Sequence, residues 1–135
     1  MLAIKAEDGS SVWSCQVGQE VEMAAWPQAG EVFVAAGEEL VCLDKKRGEI
    51  LWRRPLGGRI TTPPGGKGGC VFVATERGVL YALESSTGKV LWRWKAKEII
   101  SGRINCDSGS LFFGTWRGEM RALPLPRGLG QRLSE

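Results

Sequence analysis

Three tryptophans fall at nearly equal steps along the chain. Trp13 to Trp52 is 39 residues and Trp52 to Trp92 is 40. The glycines four positions earlier, Gly9, Gly48 and Gly88, keep the same step, as do Val21, Ile60 and Ile100 eight positions later. The segment VFVAAGEELVCLD (Val32–Asp44) returns as VFVATERGVLYALE (Val71–Glu84) with one residue inserted, and again as LFFGTWRGEMRAL (Leu111–Leu123). A fixed period of this length means one supersecondary unit used repeatedly, each copy burying its apolar face against the next. It constrains the fold more than any single motif does.

Each unit reads as short strands. In the best-preserved copy the innermost strand is expected at Arg59–Pro63, followed by Cys70–Thr75, Val79–Glu84 and Lys89–Lys95, the last three rich in Val, Leu, Tyr and Trp. Between them lie the turn formers of Pro64–Gly69, Glu76–Gly78 and Ser85–Gly88. No segment carries a sustained helical period. VFVA and VLYAL are nearly continuous apolar runs, whereas a half-solvated sheet alternates apolar with polar. Both faces of these strands must therefore be covered. Four-stranded antiparallel sheets repeating every ~40 residues and stacked face to face describe the blades of a β-propeller. The expected fold is all-β, with about three blades per chain. The boundaries are a partial blade at 1–17, blades at 18–55 and 56–97, and a second partial blade at 98–135, forming a single repeat domain.

The copies also resemble a known family. ALESSTGKVLW (Ala82–Trp92) is similar to the signature of the PQQ-like, or quinoprotein-type, propeller repeat, and AIKAEDGSSVW (Ala3–Trp13) and CLDKKRGEILW (Cys42–Trp52) align with it. VFVATERGVLY resembles the strand pair that precedes the signature in that family. The likeness runs from residue 1 to about 123. It implies that Trp13, Trp52 and Trp92 dock over the glycine turns of neighbouring blades, with Gly9, Gly48 and Gly88 as the turn glycines. Truncating such a Trp to Ala is expected to cost ~3–5 kcal/mol. In the quinone-dependent dehydrogenases of this fold the resemblance also implies calcium, a catalytic Asp and often a vicinal cysteine pair. No residue here matches those roles, so no cofactor, metal or catalytic residue is assigned.

Composition narrows the chemistry further. The 135 residues contain no histidine, which removes the commonest general base and zinc ligand. Cys15, Cys42, Cys70 and Cys106 are widely spaced and read as small buried hydrophobes rather than a zinc set or disulfides. A net charge of +3 is too mild to imply nucleic acid. No apolar run approaches the ~20 residues of a membrane span. The opening MLAIKAEDGS lacks a signal-peptide layout, leaving the cytoplasm as the default location.

Four stretches invite a binding role. Ser86–Lys89 reads STGK, but it lacks the upstream glycine and following helix of a phosphate loop and is expected to be a turn. Pro64–Gly69, PGGKGG, has no helix N-terminus behind it and is expected to be a flexible hairpin loop. Lys45, Lys46, Arg47, Arg53, Arg54 and Arg59 form a basic cluster interspersed with Asp44 and Glu49, expected to be a solvated rim. The innermost strands line the channel of a propeller, so Glu22, Thr61, Thr62, Ser101, Arg103 and Asn105 are the channel-lining candidates.

About three blades do not close a ring, since propellers use four to eight. The chain is therefore expected either to self-associate, most simply as a dimer in which the N-terminal hairpin of one copy completes the last blade of the other, or to be a segment of a longer propeller. The functional expectation is a non-catalytic scaffold for protein–protein interaction. The alternatives are a fragment of a quinoprotein (PQQ-dependent) oxidoreductase and a small-ligand-sensing propeller.

Overall fold

The computed structural model describes residues 1–4, 10–18, 20–21, 23–107 and 109–126. Among the described residues, thirteen strands form four antiparallel sheets in chain order. β1 (Leu2–Ile4) pairs with β2 (Ser11–Ser14). β3 (Trp26–Gln28), β4 (Glu31–Ala36), β5 (Glu39–Asp44) and β6 (Ile50–Pro55) make a four-stranded meander. β7 (Gly65–Lys67), β8 (Cys70–Ala74), β9 (Val79–Glu84) and β10 (Val90–Lys95) repeat it. β11 (Ile100–Cys106), β12 (Ser110–Thr115) and β13 (Met120–Pro124) form the last sheet, with three strands among the described residues. No helix occurs among the described residues.

The continuous apolar runs have the cause inferred above. Successive side chains of a strand point to opposite faces, and here both faces meet a neighbouring sheet. On β4, Val32, Val34 and Ala36 pack back against Trp13 and Val17, while Phe33 and Ala35 pack forward against Val71, Val73 and Leu83. On β8, Val71 and Val73 face back, and Cys70, Phe72 and Ala74 face forward onto Ile104, Leu111 and Phe113. Phe33, Phe72 and Phe113 are fully buried. At ~25 cal/mol per Å² of apolar area removed from water, these inter-sheet layers are the main source of stability.

The innermost strand of the third sheet lies further along the chain than its sequence suggests. It is Gly65–Lys67, inside the PGGKGG loop, rather than Arg59–Pro63. Only Ile60 bridges the sheet before it, opposite Thr75. Pro63 and Pro64 supply no N–H and interrupt the ladder. The hairpin turn shrinks to Gly68–Gly69, both at positive φ (56° and 82°), as a two-residue type I′ turn requires. In the last sheet the equivalent strand β11 is continuous, and a register shift between Ser101 and Asn105 absorbs the irregularity. The bridges Val21↔Ala36 and Ile60↔Thr75 and the pair Ile100↔Thr115 are the same contact in three successive sheets.

Candidate interaction surfaces

The tryptophans contact glycine turns one sheet ahead. A Cβ added to Gly88 would lie 2.5 Å from Cε3 of Trp52, and one on Gly48 would lie 2.5 Å from Cε3 of Trp13. Both glycines have positive φ (77° and 72°), a conformation other residues resist. The indole N–H groups complete the contact. Trp13 Nε1 donates to the Lys45 carbonyl (2.8 Å) and Trp52 Nε1 to the Ser85 carbonyl (2.9 Å). Trp92 is half-buried against the layer between the third and fourth sheets. Gly9 lies outside the described residues.

The STGK stretch is built around this contact. The Thr87 hydroxyl donates to Glu84 (2.6 Å) and accepts from the Lys89 N–H (3.2 Å), and the Gly88 N–H donates to the Glu84 carbonyl (2.8 Å). The amides of Gly88 and Lys89, which a phosphate would need, are therefore engaged within the turn, and β10 follows rather than a helix.

The channel candidates separate by environment. Thr62 is fully buried and its hydroxyl accepts from the Ala74 N–H (2.9 Å). The Thr61 hydroxyl lies within reach of the carbonyls of Ala74 (3.4 Å) and Ile100 (3.3 Å). Ser101, Arg103 and Asn105 are exposed on β11. The Arg103 guanidinium stacks 4.9 Å from the Trp26 ring centroid, crossing Gly65 of β7 on the way. Three consecutive inner strands are thus tied by one cation–π contact. Glu22 lies outside the described residues.

The basic cluster does not form one patch. The N–H groups of Lys46 and Arg47 cap the Asp44 carboxylate, whose pKa is held below the ordinary value by those two bonds. Arg53 reaches back to the Val17 carbonyl (2.8 Å) and to Glu39 (3.0 Å), while its neighbour Arg54 reaches forward to the Gly88 carbonyl (2.8 Å). Adjacent strand residues point to opposite faces, which no count of charges along the sequence reveals. None of the four cysteines is in a disulfide. Burial raises the Cys42 thiol far above its ordinary pKa, with help from the Glu31 carboxylate to which it donates (3.1 Å).

Among the described residues, one broad apolar face carries exposed side chains. In the second sheet Phe33, Ala35, Leu40 and Cys42 form a tile of cross-strand pairs facing forward, and in the third Phe72, Ala74, Leu80 and Ala82 repeat it. The last sheet repeats it again as Phe112, Gly114, Met120 and Ala122. The first two tiles are buried. In the last, Phe112 is 39% exposed and Met120 77%, and Trp116 in the adjoining turn is 72% exposed. The sequence signal for this surface is the 40-residue alignment of Phe72 with Phe112 and of Leu80 with Met120.

Stacked four-stranded meanders joined by Trp–Gly contacts define segments of a β-propeller of the PQQ-like class. The family model described as outer membrane protein assembly factor BamB matches residues 1–128, and the chain belongs to that family. No curated protein matches it. Among solved structures, BamB from Moraxella catarrhalis superposes with a TM-score of 0.80 at 17% identity, over 91% of this chain and 43% of that one. Quinohemoprotein alcohol dehydrogenase from Comamonas testosteroni gives 0.71 at 19% identity, over 84% of this chain and 26% of that one. Quinohemoprotein alcohol dehydrogenase ADHIIG from Pseudomonas putida HK5 gives 0.75 at 17%, over 91% and 29%. The chain therefore spans less than half the length of each of these structures. At these identities the likeness is one of fold.

Proposed function

We propose that the chain is a non-catalytic PQQ-like propeller module that assembles with other protein through its open blade face. The observation that carries this reading is the Phe112–Gly114–Met120–Ala122 tile. It copies two tiles that are each buried under another blade, so the occupant its shape and polarity fit is a further blade. A second copy of the chain supplies one, and two copies arranged head to tail form a closed two-fold ring. Completion of the last blade by the N-terminal hairpin needs revision. β13 already fills the third position of that sheet, so adding a two-stranded hairpin would make five strands. The contact proposed instead is face to face, with the β1–β2 hairpin of one copy stacked on the tile of the other.

The likeness to quinohemoprotein dehydrogenases raises the oxidoreductase reading. The residues do not fit a quinone–calcium centre. Among those described, no three His, Cys, Asp or Glu converge as metal ligands. The inner-strand polar groups Thr62 and Arg103 are engaged with backbone and with Trp26. Two experiments test the proposal. Addition of pyrroloquinoline quinone, calcium and an alcohol should give no dye reduction; reproducible turnover would overturn the non-catalytic reading. Replacing Phe112 and Met120 by Glu should convert a sedimenting assembly to monomer without lowering β-sheet content. An unchanged sedimentation coefficient would overturn the assigned face.

A further inference from the structure

The outer halves of the second and third sheets share a geometry but differ in charge. On the back face of β5–β6 the cross-strand pairs are Glu39↔Pro55 and Val41↔Arg53. On the back face of β9–β10 the equivalent pairs are Val79↔Lys95 and Tyr81↔Arg93. In the earlier sheet Arg53 is doubly engaged, by the Glu39 carboxylate and by the Val17 carbonyl of the preceding sheet. In the later sheet both partners have changed. Valine replaces the carboxylate. The carbonyl equivalent to that of Val17 belongs to Leu56, and it accepts from the Tyr81 hydroxyl instead (3.1 Å).

Arg93 is thereby released. Among the described residues it has no hydrogen bond or ion pair, and its side chain is exposed. Its four-residue tile carries two positive charges where the earlier tile is neutral. Lys95 is held alongside by donation to the Arg77 carbonyl (2.6 Å). Val79, Tyr81, Arg93 and Lys95 line a groove of about 360 Å³. The groove combines an apolar floor, a fixed ammonium and a free guanidinium fork. This is the donor set that receives a carboxylate in bidentate fashion.

We infer that this groove binds an acidic side chain on an extended segment of a partner protein, its carboxylate taking the position Glu39 holds one blade earlier. The inference rests on the reading of the chain as an interaction module and names the chemistry of one partner. Peptide is favoured over a buried small molecule because Arg93 and Lys95 are exposed, beside the half-buried Val79 and Tyr81. A segment with acidic residues at alternate positions would place every second side chain toward the groove.

The test uses a fluorescein-labelled, end-capped hexapeptide alternating Glu and Ser, titrated by anisotropy against the whole chain at about 50 mM salt, where ion pairs are weakly screened. Val79→Glu supplies the missing carboxylate internally, and Arg93→Gln removes the fork. Each should weaken binding at least about tenfold, the loss expected for a charge-assisted pair. Lys67→Gln, an equal change in net charge on the inner strand β7, should leave affinity within about twofold. A Gln-for-Glu peptide should not bind. If either Val79→Glu or Arg93→Gln folds and binds like the parent, or if the parent does not bind, the groove is not a carboxylate site. That failure would leave the assembly mass and the dye-reduction result untouched, so the two readings fall separately.

Discussion

Replacing Gly88 by Ala separates two demands that the Trp–Gly contact makes at one position. The first is conformational. A non-glycine residue held at φ 77° costs about 1–2 kcal/mol. The second is steric, because the new methyl would lie 2.5 Å from Cε3 and 2.8 Å from Cδ2 of Trp52. Those ring atoms cannot retreat without straining the indole bond to Ser85 and the contact with Phe33, whose ring centroid is 6.0 Å away. Displacing the ring should forfeit much of the ~3–5 kcal/mol that removing a large aromatic costs. Gly57 is an internal control, since it has the same φ of 77° with nothing within 4 Å of its Cβ position. Gly57→Ala should therefore cost only the conformational part. Urea unfolding at one fixed protein concentration should give Gly88→Ala a loss at least about 2 kcal/mol larger than Gly57→Ala. The excess should vanish when Trp52 is already Ala, which makes the double-mutant cycle the decisive readout. Equal losses for the two glycines, or an excess that persists without Trp52, would refute the docking argument.

Two further outcomes follow from buried polar groups. Thr62→Val leaves the buried Ala74 N–H without an acceptor and should destabilise by about 1–3 kcal/mol in urea unfolding, with Thr62→Ser recovering most of it. The Cys42 thiol has a folded pKa raised above its ordinary 9.0, so above pH 9 the unfolded chain loses a proton that the folded chain retains. The stabilisation is therefore fully present below pH 9 and falls as pH rises, by up to about 1.4 kcal/mol per pH unit from this group. Unfolding of the parent and of Cys42→Ala at pH 8 and pH 10 should show the shallower loss in the variant; identical slopes would contradict it.

The period of the tryptophans was enough to read the blade repeat, because burial on both faces leaves an apolar signature along each strand, as in VFVA. Register was harder. The innermost strand lies at Gly65–Lys67, and a glycine-rich strand has no apolar pattern to announce it. The separation of Arg53 from Arg54 across β6, and the release of Arg93 from any internal carboxylate, depend on which residues stand opposite one another. Sequence spacing does not state that pairing. The STGK turn was legible from the residues it lacks, whereas the open tile became visible only once its two buried counterparts were in place.

The claim that the last sheet presents an assembly face is tested most directly by mass. Light scattering on the size-exclusion peak at micromolar concentration should give twice the 14.7 kDa of one chain, falling toward one chain on dilution. A well-folded species that stays at 14.7 kDa across that range would contradict it.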